Sequence, residues 1–531
     1  MKNRFFYFFC LINLTAFTLN QAFGQTTWYV NKNASGSNDG TSLDNGWTHF
    51  SSINWNNIKS GDKLIIADGV YNEQLQIVNG QQNITISGTN KSNVILDGQN
   101  SIGDGIFIDG KTKPVDYVTI KNLTFRNFTW AGIYSDGEYT GRVSNLTVNS
   151  CIFYDNIRSC IFYEGGDNVT NNYNFVIKNC YMNTPDNNDE QTDLIYTQYI
   201  NDVTVDNCYL MVDNVAVAGH NDCFQSNDVN NCTLINNIAI QNNSKTSETQ
   251  CLFVAGGNGT HIFYNNVVYD DCNGNATDSK LIYMGPSNGG ARAIFLNNTV
   301  YAHGPGLIDT SDPNSIIENN ILYNTDHTVA YTPSMIRFEH GQGSGAVCDY
   351  NLYFNAVEVV IPPGFSIGPH SIIKDPLFTN IGTPTSFDLT IKSNSPTIKA
   401  GTNLTSYLAK DITGRLRPAT GPWDMGAYLH DSIADTQPGQ VNNPSSFILF
   451  QNYPNPFNPS TTIEYKVPLG ANIKIKIFDL RGKEITTLVD EFKPEGTYSI
   501  NFNASNLASG IYFYELISNN YTQTKKMILL K

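Results

Sequence analysis

The chain has 531 residues, which allows two or three domains, and only 15% of them are charged. A formal net charge of −15, without a cluster of Lys and Arg, disfavours nucleic acid or an anionic membrane as partner. An acidic polymer stays compatible with this charge, because a local basic cleft can override the global field. Abundant Asn, Gly, Thr and aromatic residues with few helix formers favour an all-β extracellular protein.

The N-terminus has the pattern of a cleavable signal peptide at residues 1–24. Lys2 and Arg4 form its basic end, an apolar run begins at Phe5, and Ala22 to Gly24 offer a small-x-small cleavage site. A membrane anchor is the weaker interpretation, because polar residues interrupt the run. We therefore expect export, with no transmembrane segment in the mature protein.

Residues 25–430 are predicted to form one β-rich domain. It opens with the segments WYVNKNASGSNDGTS, GDKLIIADGVYNE, NITISG and NVILDG, which are strands separated by Gly, Asn and Asp turns. Short Asn-led strands then recur, and a degenerate copy starts at Ser150. The repeats start at Asn122, Ser150, Asn179, Asn207, Asn237, Asn266, Asn298, Asn320 and Asn351.

These starting numbers advance by 28, 29, 28, 30, 29, 32, 22 and 31. A period of this size, with short strands and polar turns, predicts a parallel β-solenoid in which each repeat is one coil. The Asn residues would stack into a ladder along the axis. Cys151, Cys180 and Cys208 share the next position and are expected to stack as buried free thiols rather than to form a disulfide.

The opening segments, together with DPLFTN from Asp375, SPTIKAGT, DITGRLRP and WDMGAY, resemble bacterial pectate-lyase-like β-helix proteins. The resemblance covers about 400 residues and implies a right-handed parallel β-helix. It specifies the fold much better than the substrate.

Residues 431–446 are polar and are predicted to be a linker. Residues 447–531 carry FQNYPNPFNPSTTIEYKVP, IKIKIFDLRGKEI, GTYSINFNASNLASGIYFYEL and KKMILLK. Alternating residues at Ile473, Ile475 and Ile477, and at Ile511, Phe513 and Glu515, predict an antiparallel β-sandwich. The motifs resemble a type IX secretion (Por) C-terminal sorting domain, which implies export through the periplasm by that machinery and a secreted or surface-attached protein. An ordinary Ig-like accessory domain is the alternative.

The ten cysteines do not indicate a metal site. Loss of Cys10 with the signal peptide leaves an odd number, and no C-x-x-C or Cys/His grouping has zinc spacing.

A second strand of each coil is preceded by polar residues that align in two columns. One column contains Asp193, Asp222, Gln250 and Lys280, and the other contains Gln191, His220, Glu248 and Asp278. Neighbouring coils lie about 4.8 Å apart, so these side chains would share one patch. The segment GHNDCFQ, Gly219 to Gln225, resembles the His-x-Asp-x-x-Gln strand starts of several β-helix carbohydrate enzymes, although a local turn explains it equally well.

The third residues of the same strands form an aromatic-rich column, which we expect to face outward as a platform for sugar rings. An inward core ladder is the alternative. The column consists of Tyr163, Tyr196, Gln225, Phe253, Tyr283 and Phe338, and Arg337 lies beside its last member. We predict that Tyr163, Tyr196, Gln225, Phe253, Tyr283 and Arg337 bind the substrate.

Three functions fit these columns. In a polysaccharide lyase, Lys280, with His220 as the alternative, would be the base of a β-elimination near Asp222, and Asp193, Asp222 and Glu248 would hold Ca²⁺. In a glycoside hydrolase, Asp222 would act with Asp193 or Glu248 as paired carboxylates. In a surface adhesin, the polar columns would be solvated turns. We favour a monomeric polysaccharide lyase that acts on an acidic polysaccharide.

Overall fold

The chain folds into a parallel β-helix followed by two small antiparallel sheets. The computed structural model describes residues 25–77, 80–137, 142–166, 172–184, 193–213, 221–242, 250–270, 280–285, 291–302, 307–325, 335–338, 345–355, 367–384, 386–407, 409–430, 448–450, 452, 455, 457–467, 471–479, 483–493, 496–518 and 521–530. The predicted signal peptide and linker lie outside these residues. No helix of the described chain is long and apolar enough to cross a membrane.

The β-helix contains one short 3₁₀ helix, Phe50–Ser52, and the strands β1 to β36. In chain order the strands are β1 Thr27–Val30, β2 Lys63–Ile66, β3 Gly69–Tyr71, β4 Leu75–Ile77, β5 Gln82–Gly88, β6 Val94–Asp97, β7 Asp104–Asp109, β8 Val115–Lys121, β9 Thr124–Arg126, β10 Ala131–Gly137, β11 Val143–Ser144, β12 Leu146–Asn149, β13 Ile152–Tyr154, β14 Ser159–Gly165, β15 Tyr173–Lys178, β16 Tyr181–Thr184, β17 Ile195–Asp206, β18 Tyr209–Asp213, β19 Phe224–Val229, β20 Cys232–Ile235, β21 Ile238–Asn242, β22 Gln250–Ala255, β23 Thr260–Tyr264, β24 Val267–Asp270, β25 Lys280–Met284, β26 Arg292–Leu296, β27 Thr299–Ala302, β28 Ile308–Thr310, β29 Ile316–Glu318, β30 Ile321–Asn324, β31 Ile336–Phe338, β32 Val347–Asp349, β33 Leu352–Phe354, β34 Ile372–Ile373, β35 Phe378–Asn380 and β36 Asp388–Ile391.

Strands β1 to β34 form three parallel faces, which the chain visits in the order C, A, B within one coil, and β35 and β36 form a separate two-stranded antiparallel sheet. Sheet C contains β4, β7, β10, β14, the first half of β17, β19, β22, β25, β28 and β31. Sheet A runs from β1 and β2 to β32 and includes the second half of β17. Sheet B contains β3, β6, β9, β13, β16, β18, β21, β24, β27, β30, β33 and β34. Strand β17 continues from sheet C into sheet A because Tyr199 and Asp202, both with positive φ, bend it.

The core of the helix consists of side chains stacked from coil to coil. On sheet C, Ile133, Ile161 and Ile195 are backbone partners in successive coils and are fully buried. Each such side chain contributes roughly 1.5–3 kcal/mol through burial of apolar surface. Trp47 and Phe50, from the segment between β1 and β2, belong to the same core.

The turn from sheet A to sheet B explains the Asn repeat. One residue in each of these turns has a positive φ, a conformation that Asn tolerates better than most residues. These residues are Asn122, Ser150, Asn179, Asn207, Asn236, Asn265, Asn297, Asn319 and Tyr350, with φ between 50° and 60°. The predicted single column, which aligned Asn207 with Asn237, is therefore wrong by one position from Asn237 onward. The residue equivalent to Asn207 in the next coil is Asn236.

The residues that follow these turn positions point inward and form a second column. It begins with Leu123, Cys151, Cys180 and Cys208 and continues with Asn237, Asn266, Asn298, Asn320 and Asn351. The described cysteines, all but Cys272 of the nine, are free and buried, which confirms the predicted thiol stack. The thiol of Cys180 and the carboxamide of Asn266 occupy equivalent positions in their coils. The Cys180 Sγ lies 3.8 Å from the Val148 carbonyl oxygen, and the Asn266 Nδ2 lies 2.7 Å from the Leu234 carbonyl oxygen.

The segment after the last coil packs back on sheet B. Phe378, Leu389 and Met425 share a buried cluster with Tyr269 and Ile321 of the strands beneath them. The buried Arg417 guanidinium donates to the Asn265 side chain and to carbonyl oxygens of its own segment. These contacts tie the segment to the helix.

The C-terminal strands form a three-stranded and a four-stranded antiparallel sheet with one shared core. They are β37 Ile448–Leu449, β38 Ser460–Val467, β39 Ala471–Phe478, β40 Glu484–Lys493, β41 Gly496–Asn503, β42 Gly510–Ser518 and β43 Tyr521–Leu529. Ile473, Ile475 and Ile477 are buried as predicted. In β42 the predicted phase is wrong, because Tyr512, Tyr514 and Leu516 are the buried residues and Ile511 is exposed.

Candidate functional site

An outward column of aromatic side chains runs along sheet C, parallel to the helix axis. Its members, here called the aromatic file, are Phe107, Tyr134, Phe162, Tyr196, Gln225, Phe253 and Tyr283, and the column continues with Asp309 and Arg337. The Phe162 and Tyr196 rings stack with centroids 4.7 Å apart, and those of Phe253 and Tyr283 are 4.9 Å apart. Because the rings stack on one another along the axis, the file presents ring edges outward at the repeat of the coils, and Phe162 is only 8% exposed.

Five of the six predicted substrate-binding residues lie in this column: Tyr196, Gln225, Phe253, Tyr283 and Arg337. Tyr283 is nonetheless only 7% exposed. The Tyr196 hydroxyl donates to Gln198 Oε1 at 2.9 Å and accepts a hydrogen bond from Asn227 Nδ2 at 3.3 Å, so its ring is held in place. Arg337 forms an ion pair with the buried Asp309, at 2.8 Å.

The prediction that Tyr163 faces outward is wrong. Tyr163 pairs with Thr197, is fully buried, and donates its hydroxyl hydrogen to the Val143 carbonyl oxygen. The outward residue of that strand is Phe162. Phe338 faces inward in the same way, because it pairs with Thr310 and is buried.

The physical reason is a register shift of one residue at the start of β14. The amides of Cys160 and Ile161 both donate to the Leu194 carbonyl oxygen, each at 3.0 Å, so Ile161 pairs with Ile195 and not with Leu194. A shift of one residue turns every side chain of a strand to the opposite face.

The strand-start column predicted from the sequence is present in the backbone. The Asp222 amide donates to Asp193 Oδ1 at 2.9 Å, and the Gln250 amide donates to Asp222 Oδ1 at 2.8 Å. Gln250 and Lys280 are backbone partners in the next two coils. The structure thus places Asp193, Asp222, Gln250 and Lys280 one above the other.

The two carboxyl groups of this column are buried, and burial is the main cause of their altered acidity. Asp193 is 7% exposed, and burial raises its pKa to about 7. Asp222 is fully buried, and burial together with the charge of Asp193 raises its pKa well above the usual range. Two stacked carboxyl groups of this kind hold a proton near neutral pH.

The other predicted members of the site cannot be placed. His220 and Glu248 lie outside the described residues, as do Gln191, Asp278 and the Lys280 side chain. Their predicted roles as base and metal ligand stay predictions.

Asp193 and Asp222 do not form a calcium site by themselves. Carboxylate oxygens are suitable donors, but calcium takes six to eight oxygens and here Oδ1 of each residue already accepts a backbone amide. Within the described part of the chain, no three acidic, His or Cys side chains are grouped as metal ligands. The calcium requirement stays a prediction.

A second set of carboxylates, missed in the sequence, flanks the aromatic file two residues further along the strands. Asp109, Asp136 and Glu164 are backbone partners in successive coils. The Tyr134 hydroxyl lies 3.1 Å from Asp136 Oδ2 and 3.0 Å from Glu164 Oε2, and Lys111 Nζ lies 2.6 Å from the same Asp136 oxygen. We call Asp109, Asp136 and Glu164 the acidic column.

A sequence signal for the acidic column was available in the segments FIDG, YSDG and FYEG, where an acid follows an aromatic position by two residues and precedes Gly. The Gly after Glu164 is required by packing. A Cβ on Gly165 would lie 2.2 Å from the Tyr199 carbonyl oxygen of the next coil.

The fold and its C-terminal sheets define a secreted parallel β-helix protein. Residues 451–530 match the family model of the secretion system C-terminal sorting domain. This domain directs export by the type IX system to the cell surface or the extracellular space, as predicted.

Comparison with solved structures finds β-helix proteins at low identity. The pectate lyase Pel9A is 14% identical, over 77% of this chain and 97% of that one, with a TM-score of 0.40. XylC in complex with xylose is 11% identical, over 76% and 98%, with a TM-score of 0.47. A lacto-N-biosidase from Eubacterium ramulus is 10% identical, over 62% and 67%, with a TM-score of 0.29. A search of the curated proteins matched none to this chain.

Proposed function

We propose that the β-helix is a carbohydrate-active enzyme that binds a polysaccharide lengthwise along sheet C. The observation that carries this proposal is the aromatic file. Apolar faces of sugar rings pack on aromatic side chains, here on the outward edges of the file, and the coil repeat of about 4.8 Å is comparable to one sugar residue of an extended polymer. Asp109 and Glu164 of the acidic column are partly exposed beside the file, where they are able to accept hydrogen bonds from sugar hydroxyl groups, whereas Asp136 between them is buried.

The reaction that we propose first is β-elimination on an acidic polysaccharide. A base removes the proton on the carbon next to the uronate carboxylate, and the electron pair of that C–H bond forms a C=C bond to the β carbon. The bond from the β carbon to the glycosidic oxygen breaks, and the oxygen leaves with its electron pair and takes up a proton. Lys280 is the proposed base, with His220 as the alternative. What supports this choice is the position of Lys280 at the start of β25, in the column of Asp193 and Asp222.

Hydrolysis is the second candidate, and the geometry of Asp136 and Glu164 favours it. Carboxylates in adjacent coils are separated by roughly 5 Å, the separation found in retaining glycosidases. The Tyr134 hydroxyl lies within hydrogen-bonding distance of both groups and holds them next to each other. In this alternative Glu164 is the acid, and Asp136, which is paired with Lys111, is the nucleophile.

The test is an incubation of the mature protein with pectin, alginate and glycosaminoglycans, with two readouts. Ultraviolet absorbance reports the unsaturated uronate that elimination produces, and a reducing-sugar assay reports any chain cleavage. For elimination we expect both signals, and both should be lost in Lys280→Ala. New reducing ends without absorbance, lost in Glu164→Gln, would establish hydrolysis instead.

A matched pair of variants tests the aromatic file. Tyr196→Ala removes a ring stacked on Phe162, and Tyr181→Ala removes a ring stacked on Tyr209 at 5.2 Å on sheet B. We expect only Tyr196→Ala to weaken polysaccharide binding, by about 1–3 kcal/mol in analogy with the stacking of other rings on aromatic side chains. Equal effects of the two variants would contradict the proposed binding surface.

A further inference from the structure

An exposed Trp lies next to the aromatic file, where the sheet C strands begin, and an Arg guanidinium packs over its ring. Trp130 precedes β10 and Arg158 precedes β14, so the two residues lie in adjacent coils, joined by the Ser159 amide, which donates to the Trp130 carbonyl oxygen at 2.9 Å. The Arg158 Cζ lies 4.2 Å from the Trp130 ring centroid and 5.6 Å from that of Phe162. Trp130 is 37% exposed. We call Trp130 and Arg158 the basic lip.

The basic lip is continuous with the aromatic file. The Trp130 ring centroid lies 5.8 Å from that of Phe162 and 6.5 Å from that of Tyr134. A sugar packed on the exposed Trp130 ring, beside Phe162, would therefore also lie beside the Arg158 guanidinium. The acidic column flanks the opposite edge of the same rings, two residues further along each strand.

The charge of Arg158 is used differently from that of other cations of the helix. Arg126, Arg142, Arg337 and Lys111 each form an ion pair with an Asp, at 2.6 to 3.2 Å. Arg158 has no carboxylate within ion-pair distance among the residues that the structure describes, and its charge only opposes the rise in the pKa of the buried Asp193 from further away. Its guanidinium plane is held on the Trp130 ring, which leaves its N–H edge as a donor for a planar anion.

We propose that Trp130, Arg158 and Phe162 form a subsite for a carboxylate-bearing sugar, a uronate residue of the polysaccharide. A carboxylate matches the planar donor fork of Arg, which binds it through two parallel hydrogen bonds. The acidic column repels such a group and accepts sugar hydroxyls, so the uronate carboxylate is directed to the basic lip. This inference rests on the proposed function, since it specifies the substrate class of that surface.

The test is a binding titration of the mature chain with acidic oligosaccharides and their carboxyl-reduced counterparts. The probes are oligogalacturonate, alginate and glucuronate-containing oligosaccharides, each against the neutral form of the same sugar. We expect wild type to prefer an acidic probe. In Arg158→Gln its affinity should fall about 10- to 100-fold, because a hydrogen bond to a charged group is lost, while the neutral form binds as before.

Two further variants separate the possible outcomes. Arg158→Lys keeps the charge without the fork and should retain part of the preference, and its salt dependence should exceed that of Arg158→Gln. Tyr196→Ala should weaken acidic and neutral probes alike. The inference is overturned if wild type has no preference for the acidic form, or if Arg158→Gln affects both forms equally. The proposed function itself fails if wild type binds neither the acidic nor the neutral form of any probe, or if Tyr196→Ala leaves the binding of both forms unchanged.

Discussion

The buried Asn column provides a quantitative test of what holds the β-helix together. Asn298 lies in its middle and is fully buried. Its Oδ1 accepts the Asn266 amide at 3.0 Å and Asn266 Nδ2 at 3.1 Å, and its Nδ2 donates to the Phe263 carbonyl oxygen at 2.9 Å and to Asn320 Oδ1 at 3.0 Å. Four hydrogen bonds thus depend on one side chain.

Asn298→Ala removes all four bonds and leaves their partners buried. At about 1 kcal/mol net for each bond, the free energy of unfolding should fall by about 4 kcal/mol. The matched control is Asn93→Ala, since Asn93 is exposed and its side chain forms one described hydrogen bond, to Asp68 Oδ2 at 2.8 Å. There the loss should stay below about 1 kcal/mol.

The assay is urea unfolding of the mature protein, followed by circular dichroism for wild type and both variants. The midpoint should shift strongly in Asn298→Ala and little in Asn93→Ala. The reasoning is refuted if the two variants lose similar stability, because the column would then contribute no more than an exposed side-chain bond.

Two further predictions concern pH. Burial lowers the pKa of His261 from 6.5 to about 4, so the folded protein holds this side chain in its neutral form. The unfolded chain takes up a proton there first, and the free energy of unfolding therefore falls as the pH drops below 6.5. At pH 5 the loss from this one group is about 2 kcal/mol. His261→Phe should therefore lose less stability than wild type between pH 7 and pH 5 in the same urea assay, and an identical loss would contradict the assignment. Asp193 gives the opposite pH dependence of stability. Burial raises its pKa to about 7, so the stability that its protonated form contributes is lost as the pH rises through that value. Asp193→Asn, whose amide oxygen is still able to accept the Asp222 amide, should raise the melting temperature relative to wild type at pH 8 and not at pH 4; a difference independent of pH would show that the charge is not responsible.

Local patterns were enough to predict the solenoid and the sorting domain. The Asn-led repeat near 29 residues reflects a turn from sheet A to sheet B that needs one residue with positive φ per coil, and this requirement is local. The Cys151, Cys180 and Cys208 stack followed from the same spacing. Alignment of the second strand of each coil also placed Tyr196, Phe253 and Tyr283 in one column.

The tertiary structure alone decided the register between coils. Asn207 and Asn237 look equivalent in the sequence, yet one is a turn residue and the other points into the core. Phe162 and Tyr163 are adjacent aromatic residues, and only the pairing of β14 with β17 shows which one faces outward. The basic lip joins Trp130 to Arg158, which no sequence motif connects. The physical reason is that strand side chains alternate with a period of two, so hydrogen bonding between coils, and not composition, determines which face each residue occupies.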